Sequence, residues 1–236
     1  MKGKTAVSLL IAGALAFAGF QIYTILGTLL GSEKASETEG SGVIRSGKEE
    51  DARIAFACNV DWGEDILPDM LEILDDNDLK ITFFVSGRWA ENNPRMLRKI
   101  FLAGHEIQNH GYGHRMCSKI SADVIRREIQ KTEDAVMNLT GVKTNIFAPP
   151  SGDFDDKTVE VCQEMGYIIS LWSIDTIDWR QGSTADVIRN RVFNKSLKGG
   201  ILLMHPKEET VKALPIIIKK IHEKGLSIVS VSDLIT

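Results

Sequence analysis

Short apolar runs alternate with amphipathic helical patterns through residues 53–236, and this alternation constrains the fold of the 236-residue chain more than any other feature. Residues 54–60 and 81–85 each have the composition of a buried strand, and residues 66–77 between them have apolar side chains at helical spacing. A strand–helix–strand repeat with short connections is typical of a parallel sheet. The sequence therefore predicts an α/β fold, and about seven strands favour a distorted barrel over an open sheet.

Residues that begin or end helices separate these elements. Asn93 and Pro94 begin one predicted helix, because Asn caps helices and Pro suits the first helical position. Ser121 begins a longer helix, which is expected to end at about residue 139, before Gly141. These signals place helices between the strands, as the crossover connections of a parallel sheet require.

The first 30 residues differ in composition from the rest of the chain. Residues 6–30 are almost wholly apolar and uncharged, follow Lys2 and Lys4, and exceed the roughly 20 residues that cross a bilayer. The positive flank predicts a cytoplasmic N-terminus and an extracytoplasmic remainder. A cleaved signal peptide is the alternative for residues 1–30, since Ala16 and Ala18 form a small-x-small site. Because the apolar segment continues to Leu30, we favour one uncleaved transmembrane helix that anchors the protein in the cell membrane.

Residues 31–52 are rich in Ser, Glu, Lys, Thr and Gly, and we interpret them as a flexible polar linker. Residues 53–236 are then a single globular domain, expected to be monomeric. The net charge of the chain is −4 and no block of basic residues interrupts the domain. These features exclude nucleic acid as the expected partner and leave the membrane, through residues 1–30, and a ligand of the domain.

Polar side chains that bind metals or transfer protons follow several of the predicted strands. His110 and His114 occur in the sequence Asn-His-Gly-Tyr-Gly-His after a short strand, and Asp61, Asp178 and His205 each follow an apolar run. The carboxyl ends of parallel strands meet at one edge of the sheet, where α/β enzymes have their sites. We therefore expect these five side chains to lie on one functional rim.

Each of these residues also has a structural explanation. Two histidines four residues apart suit zinc, cobalt or iron, but they are also consistent with two unrelated surface side chains. Asp61 is either a metal ligand or a turn residue that accepts backbone N–H groups. His205 is a ligand, a proton donor or a hydrogen-bonded core histidine, and Asp178 either orients an imidazole or caps a turn.

Taken in chain order, these residues resemble the motifs of the polysaccharide deacetylase (NodB-homology) family of metal-dependent carbohydrate esterases. The resemblance covers residues 53–236, and its segments are residues 59–63, 80–87, 104–114, 147–152, 175–179 and 201–205. The order of these segments, their spacing and their positions at strand ends all agree with the family. The segment Asn-Val-Asp-Trp-Gly and the apolar N-terminus also resemble a branch of the family associated with sporulating Gram-positive bacteria.

The resemblance implies a distorted (β/α) barrel and a hydrolase that removes N-acetyl groups from peptidoglycan or another N-acetylglucosamine polymer outside the cell. It assigns Asp61, His110 and His114 to a divalent metal, with zinc the first choice and cobalt an alternative. It assigns proton donation to the leaving amine to His205, and it counts Asp178 among the catalytic residues.

The first motif departs from the family pattern, because it has one carboxylate where the family has two. Without a gap, Asp61 takes the position of the general base and Trp62 that of the metal ligand. Spaced as Asp-x-Asp, Asn59 takes the base position and Asp61 the ligand position. We prefer the second register, since residues i and i+2 of a strand face the same side and two histidines alone hold a metal weakly. Glu64 and Asp65 are then candidate substitutes for the base.

The third motif has Ala148 where the family has an arginine that orients the base carboxylate. One hypothesis is a metal-dependent N-deacetylase that works without a complete motif, since general acid–base catalysis contributes only about 10²–10⁴-fold. The second is a degenerate family member that binds glycan without hydrolysing it. A third and weaker hypothesis is a hydrolase that acts on another amide or ester.

Overall fold

The structure is a computed structural model that describes residues 42–236. The predicted transmembrane helix and the first half of the predicted linker, residues 31–41, lie outside these residues. Within the described part, no helix is long and apolar enough to span a bilayer.

The described residues form one sheet of nine strands, and every strand pair in it is parallel. The strands are β1 (Val43–Ile44), β2 (Arg53–Val60), β3 (Thr82–Val85), β4 (Glu106–Asn109), β5 (Ile146–Phe147), β6 (Ile168–Ser170), β7 (Ile174–Asp175), β8 (Ile201–Met204) and β9 (Ser227–Val229). Eight of them follow the order β1-β6-β5-β4-β3-β2-β8-β7, and β9 pairs with the start of β2. The parallel α/β architecture predicted from the sequence is confirmed.

The sheet curls so that its two ends approach each other. Ser46, just after β1, forms an antiparallel bridge with Gly200, just before β8, and the Gly47 N–H donates to the Gly199 oxygen at 2.7 Å. Gly199 has a φ of +63°, and a Cβ there would lie 2.1 Å from the Lys48 oxygen, so this contact requires glycine. The result is a partly closed barrel, which fits the predicted distorted (β/α) barrel.

The structure has more strands than the seven or so predicted. β1 lies within residues 31–52, the predicted linker, so the folded domain begins before Arg53. Val43 and Ile44 are apolar residues in a polar segment, and pairing with β6 gives their backbone groups hydrogen-bond partners. Residues 167–174 are mostly apolar and could form one strand, but the structure has two shorter strands there, β6 and β7.

The described part has eight α-helices, seven between strands and one after the last strand. They are α1 (Leu67–Asp76), α2 (Gly87–Asn92), α3 (Pro94–Leu102), α4 (Ala122–Thr140), α5 (Asp156–Glu164), α6 (Ala185–Phe193), α7 (Glu208–Glu223) and α8 (Val231–Ile235). Pro94 occupies the first turn of α3, and α4 ends at Gly141 with a φ of +77°, as the sequence predicts.

The central strand β2 separates two apolar layers. Phe56 and Cys58 belong to the large core between the sheet and the helices, whereas Ala55 and Ala57 belong to a smaller cluster inside the curl. Successive side chains of a strand point to opposite faces, so Asn59 continues the inner row. Asn59 is buried near the carboxyl end of the strand. The residues that the sequence predicts to be functional lie beyond this end, in the loops after the strands.

Candidate active site

Residues predicted to be functional follow four strands at the carboxyl edge of the sheet. Asp61 follows β2, His110 follows β4, Asp178 lies three residues after β7, and His205 follows β8. Because all of these strands are parallel, their carboxyl ends open at the same edge of the curled sheet. This edge, called the rim below, is where the side chains meet.

Asp178 and His205 form a hydrogen-bonded pair on the rim. His205 Nδ1 lies 2.7 Å from Asp178 Oδ1, and the His205 backbone N–H and the Thr210 hydroxyl both donate to Asp178 Oδ2 at 2.7 Å. Burial favours the neutral acid, yet the bonds from His205 and Thr210 outweigh it and keep the pKa of Asp178 below its ordinary value. The carboxylate therefore fixes the imidazole with Nδ1–H donating, which leaves Nε2 free to exchange a proton.

His110 and His114 are brought together by a tight turn. Their ring centroids are 5.0 Å apart, and the two rings are inclined at 73°. Gly111 has a φ of +72° and His114 a φ of +54°, so the turn uses left-handed backbone at both residues. His110 Nδ1 donates to the Ala148 carbonyl oxygen at 2.7 Å, which leaves its Nε2 lone pair available. Burial, together with the nearby His114, lowers the pKa of His110 to about 3, so this ring is neutral at physiological pH.

A carboxylate on α4 holds the same turn from behind. The Gly113 N–H donates to Glu128 Oε2 at 2.6 Å, and Arg115 Nε lies 3.5 Å from the other oxygen. At Gly87, in the first turn of α2, a Cβ would lie 2.6 Å from the Tyr112 ring, so glycine allows this helix to approach the turn. The histidine turn is thus supported by both of its neighbouring helices.

The Asp61 carboxylate is bound by partners other than the histidines. The Ser86 hydroxyl donates to Oδ1 at 2.5 Å, and Arg88 Nη2 lies 3.3 Å from Oδ1 and 3.1 Å from Oδ2. These donors follow β3, the strand beside β2. The structure therefore gives Asp61 a hydroxyl and a guanidinium as its side-chain partners.

Trp62 covers the imidazole of His205. The two ring centroids are 5.8 Å apart and the rings are nearly parallel, with an interplanar angle of 15°. Lys207 Nζ lies 4.4 Å from the centroid of the Trp62 ring, which is a favourable cation–π distance. Gly63 has a φ of +89°, and a Cβ there would lie 2.6 Å from Pro206, so this glycine brings the two loops together. Trp62 is consequently packed against the pair formed by His205 and Asp178.

The residues present do not form the three-ligand metal site that the resemblance implies. Within residues 42–236, no three His, Cys, Asp or Glu side chains lie close enough together to hold one ion. His110 and His114 lie close together, but Asp61 interacts with Ser86 and Arg88. Protein zinc sites usually have at least three protein ligands, so two imidazoles are an incomplete donor set. The assignment of zinc or cobalt to this site stays a prediction.

The end of β2 bears on the two registers of the first motif. The Asp-x-Asp register depends on strand alternation between Asn59 and Asp61, but β2 ends at Val60 and Asp61 lies in a bend. Asn59 is buried in the inner row, whereas the Trp62 ring lies over His205. This geometry favours the register without a gap, in which Trp62 stands at the ligand position and Asp61 at the base position.

A cleft of about 760 Å³ opens beside Trp62, between the loops after β2, β7 and β8. Trp62 and Trp179 are both exposed at the cleft, and Arg180 lies 5.6 Å from the Trp179 ring centroid. Charged groups of both signs line it, namely Asp65, Arg180, Lys207, Glu208 and Glu209. A cleft with two exposed indoles and many polar groups is suited to a polar ligand that has apolar faces, such as a sugar.

Sequence reasoning did not identify several residues that shape this site. Arg88 and Thr210 each bind a predicted functional carboxylate, and Lys207 packs on Trp62. Arg88 and Lys207 each lie three residues beyond the end of a strand that borders β2, and this position is the signal that would have marked them. Thr210 has no such signal, because its contact with Asp178 depends on how α7 packs.

Comparisons with known proteins agree with the motifs. A sequence profile described as polysaccharide deacetylase matches residues 48–169. The uncharacterized protein YlxY of Bacillus subtilis is 37% identical over 81% of this chain, and the chain spans only 60% of that relative's length. A peptidoglycan-N-acetylglucosamine deacetylase of Bacillus cereus is 33% identical over 75% of this chain and 67% of its own length.

A solved structure gives the same fold. The crystal structure of BA3943 from Bacillus anthracis, described as a CE4 family pseudoenzyme, superposes with a TM-score of 0.79. It is 38% identical over 81% of this chain and 68% of the other. A mutant of that protein, described as having restored enzymatic activity, also has a TM-score of 0.79, at 36% identity over 81% of this chain and 70% of the other.

Proposed function

The chain belongs to the polysaccharide deacetylase family, and from this premise we propose that it binds a peptidoglycan-type glycan without, as it stands, removing acetyl groups from it. The observation that carries the proposal is the position of Trp62. An indole stands where the gap-free register requires a metal ligand, and it packs against His205. An indole has one N–H donor and no lone pair for a metal. Metal-dependent hydrolysis would therefore lack a ligand.

The cleft supports glycan binding. Sugars present C–H faces that pack on aromatic rings and hydroxyl groups that bind charged and polar side chains. Trp62 and Trp179 supply the rings, and Asp65, Lys207 and Glu208 supply polar partners beside them. Since charges of both signs are present, hydroxyl donors and acceptors on one sugar both have possible partners.

The relatives support the ligand class and leave the activity open. The Bacillus cereus protein is named for deacetylation of N-acetylglucosamine in peptidoglycan. BA3943 is described as a pseudoenzyme, and the description of its mutant indicates that activity is recoverable on this fold. We propose for this chain the glycan class of the Bacillus cereus protein and the inactivity of BA3943.

N-deacetylation is the second candidate function, and the pair formed by Asp178 and His205 favours it. The buried carboxylate fixes the imidazole, so that Nε2 is available to give a proton to a leaving amine. The His110 lone pair is also oriented for ligation. The incomplete donor set places this candidate second.

The experiment uses the full chain with zinc or cobalt added, and peptidoglycan or N-acetylglucosamine oligomers as ligands. We expect binding by calorimetry with no acetate released above the level of His110→Ala. Trp179→Ala should weaken binding about three- to tenfold, because one exposed stacking surface is lost. Leu102→Ala removes an exposed apolar side chain outside the cleft and serves as the control. Metal-dependent acetate release that disappears in His110→Ala would establish the second candidate, and absence of binding would refute the first.

We also propose that residues 1–30 anchor the protein in the cell membrane, with a monomeric domain outside the cell. The apolar composition of residues 6–30 and the preceding lysines support this location. The apolar residues 6–30 and the amino-acid sequence of residues 59–63 also support membership in the sporulation-associated branch of the family. Protease treatment of intact protoplasts should digest the domain, whereas a protected domain would contradict the orientation.

A further inference from the structure

The position of Arg88 is determined by the packing around it. β2 and β3 are neighbours with Val60 opposite Val85, and the Ser86 N–H donates to the Val60 oxygen at 2.9 Å. Ser86 also caps α2, because its hydroxyl oxygen accepts from the Trp89 N–H. The loop after β3 is therefore fixed against the end of β2.

The first turn of α2 is fixed on its other side as well. The Gly87 and Arg88 N–H groups donate to the oxygens of Gly111 and Tyr112, at 3.0 and 3.1 Å. The same short segment thus contacts the Asp61 carboxylate on one side and the histidine turn on the other. Arg88 is part of a connected rim and not of a freely moving surface loop.

In the family, an arginine follows the strand that corresponds to β5, but here the residue at that position is Ala148. Ala148 is buried, belongs to the apolar cluster inside the curl, and uses its carbonyl oxygen to accept from His110. Ala148 has only a methyl group, so this position supplies no guanidinium to the rim. Arg88, which lies just beyond β3, the strand beside β2, brings a guanidinium to the Asp61 carboxylate.

We propose that Arg88 is a positioning residue that replaces the arginine absent at position 148 and holds the Asp61 carboxylate in a fixed orientation on the rim. The inference rests on the proposed function, in which Asp61 stands at the base position and only the ligand at position 62 is lost. A single guanidinium contact to both carboxylate oxygens restricts rotation of the side chain, and the Ser86 hydroxyl completes the restraint.

The first test is a double-mutant cycle in the full chain with Arg88→Ala, Asp61→Asn and both changes, measured by urea unfolding. We expect the two residues to be coupled by about two- to fivefold in the unfolding equilibrium constant, the range for a partly exposed ion pair. Adding Ala148→Arg should reduce this coupling, because a second guanidinium then serves the carboxylate. If that variant does not fold, Arg88→Lys should retain part of the coupling.

The control is Arg126→Ala paired with Asp61→Asn. Arg126 is a partly exposed arginine whose ion pairs are with Asp123 and Glu164, so no coupling to Asp61 is expected. Absence of coupling between Arg88 and Asp61 would overturn the proposal. If Ala148→Arg gave a folded protein with unchanged coupling between Arg88 and Asp61, Arg88 would not be a replacement for the arginine absent at position 148.

The second test measures turnover in a zinc-loaded Trp62→Asp variant acting on N-acetylglucosamine oligomers. There, Arg88→Ala should lower kcat by about tenfold while KM changes less than twofold, and Arg88→Lys should recover part of the loss. An unchanged kcat would refute a positioning role. If Trp62→Asp releases no acetate, the account of a single lost ligand fails, and the unfolding cycle, which needs neither metal nor turnover, still decides the role of Arg88.

Discussion

Two regions of the rim differ in whether their polar side chains contact one another. The first region is formed by Asp178 and His205, and the second by Asp61, His110 and His114. In the first, the buried carboxylate accepts three hydrogen bonds and orients one imidazole. In the second, the histidines lie together but the carboxylate interacts with an arginine and a serine.

The difference shows that one hydrogen-bonded pair on the rim is complete, whereas no three metal donors lie together among residues 42–236. Asp178 and His205 are tied by contacts within the loops after β7 and β8 and the start of α7, so changes elsewhere leave them intact. A metal site would need donors from the loops after β2 and β4 at one point, and in the proposed function Trp62 takes the place of one of these donors. We expect added or removed ligands to change metal affinity in the second region only, and acid to reduce the stability contributed by each region at a different pH.

The largest expected effect comes from restoring a carboxylate to the second region. Trp62→Asp should raise affinity for zinc by about 10²–10³-fold, because it adds a third ligand to His110 and His114. Titration with cobalt, followed by its visible absorption, measures this directly. Trp62→Asn is the matched control with a much weaker ligand. If the unchanged protein bound cobalt tightly at 1:1 stoichiometry, and this binding depended on His110, the second region would already be a complete metal site and the comparison would be wrong.

Acid should distinguish the regions by the pH at which each loses stability. His110 has a folded-state pKa of about 3 against an ordinary value of 6.5, so the unfolded chain takes up its proton first as pH falls. This contribution is fully present above pH 6.5, and about 3 kcal/mol of it should be lost by pH 4. Asp178 has a lowered pKa, so its contribution is lost only below about pH 3.8.

Urea unfolding between pH 7 and 3 measures this separation. His105 is the control, since burial, with a smaller effect of Lys80, lowers its pKa to about 4 although it lies at the start of β4, away from the rim. His105→Asn should remove its own part of the acid sensitivity and leave that of His110. A stability that is flat from pH 6.5 to 4 in the unchanged protein would show that neither imidazole is kept neutral by burial.

The smallest effect is expected in the intact first region at neutral pH. Asp178→Asn should lower the free energy of unfolding by about 2 kcal/mol, because an amide replaces a charged acceptor of three bonds. Thermal or urea unfolding at pH 7 measures the loss. Asp153→Asn, at a carboxylate that accepts two bonds from Ser118 and none from Asp178 or His205, is a matched comparison. A loss under 0.5 kcal/mol would mean that Asp178 is less important to the region than its hydrogen bonds indicate.

Much of the fold was predictable because its signals are local. Alternating apolar runs and helix ends such as Pro94 and Gly141 give the parallel α/β architecture directly. β1 escaped prediction because two apolar residues in a polar segment form a strand only when β6 is beside them. The break between β6 and β7 also depends on which neighbours each half finds.

The sequence by itself determined which residues reach the rim, because a residue that ends a parallel strand must lie at the carboxyl edge. Only the tertiary structure decided which of them touch. The contacts of Asp61 with Arg88 and of Trp62 with His205 join residues far apart in the chain, through loops whose approach depends on packing. The end of a parallel strand fixes the edge of the sheet on which a side chain lies. The residue that this side chain contacts depends on how closely two loops approach, and no local sequence pattern encodes that distance.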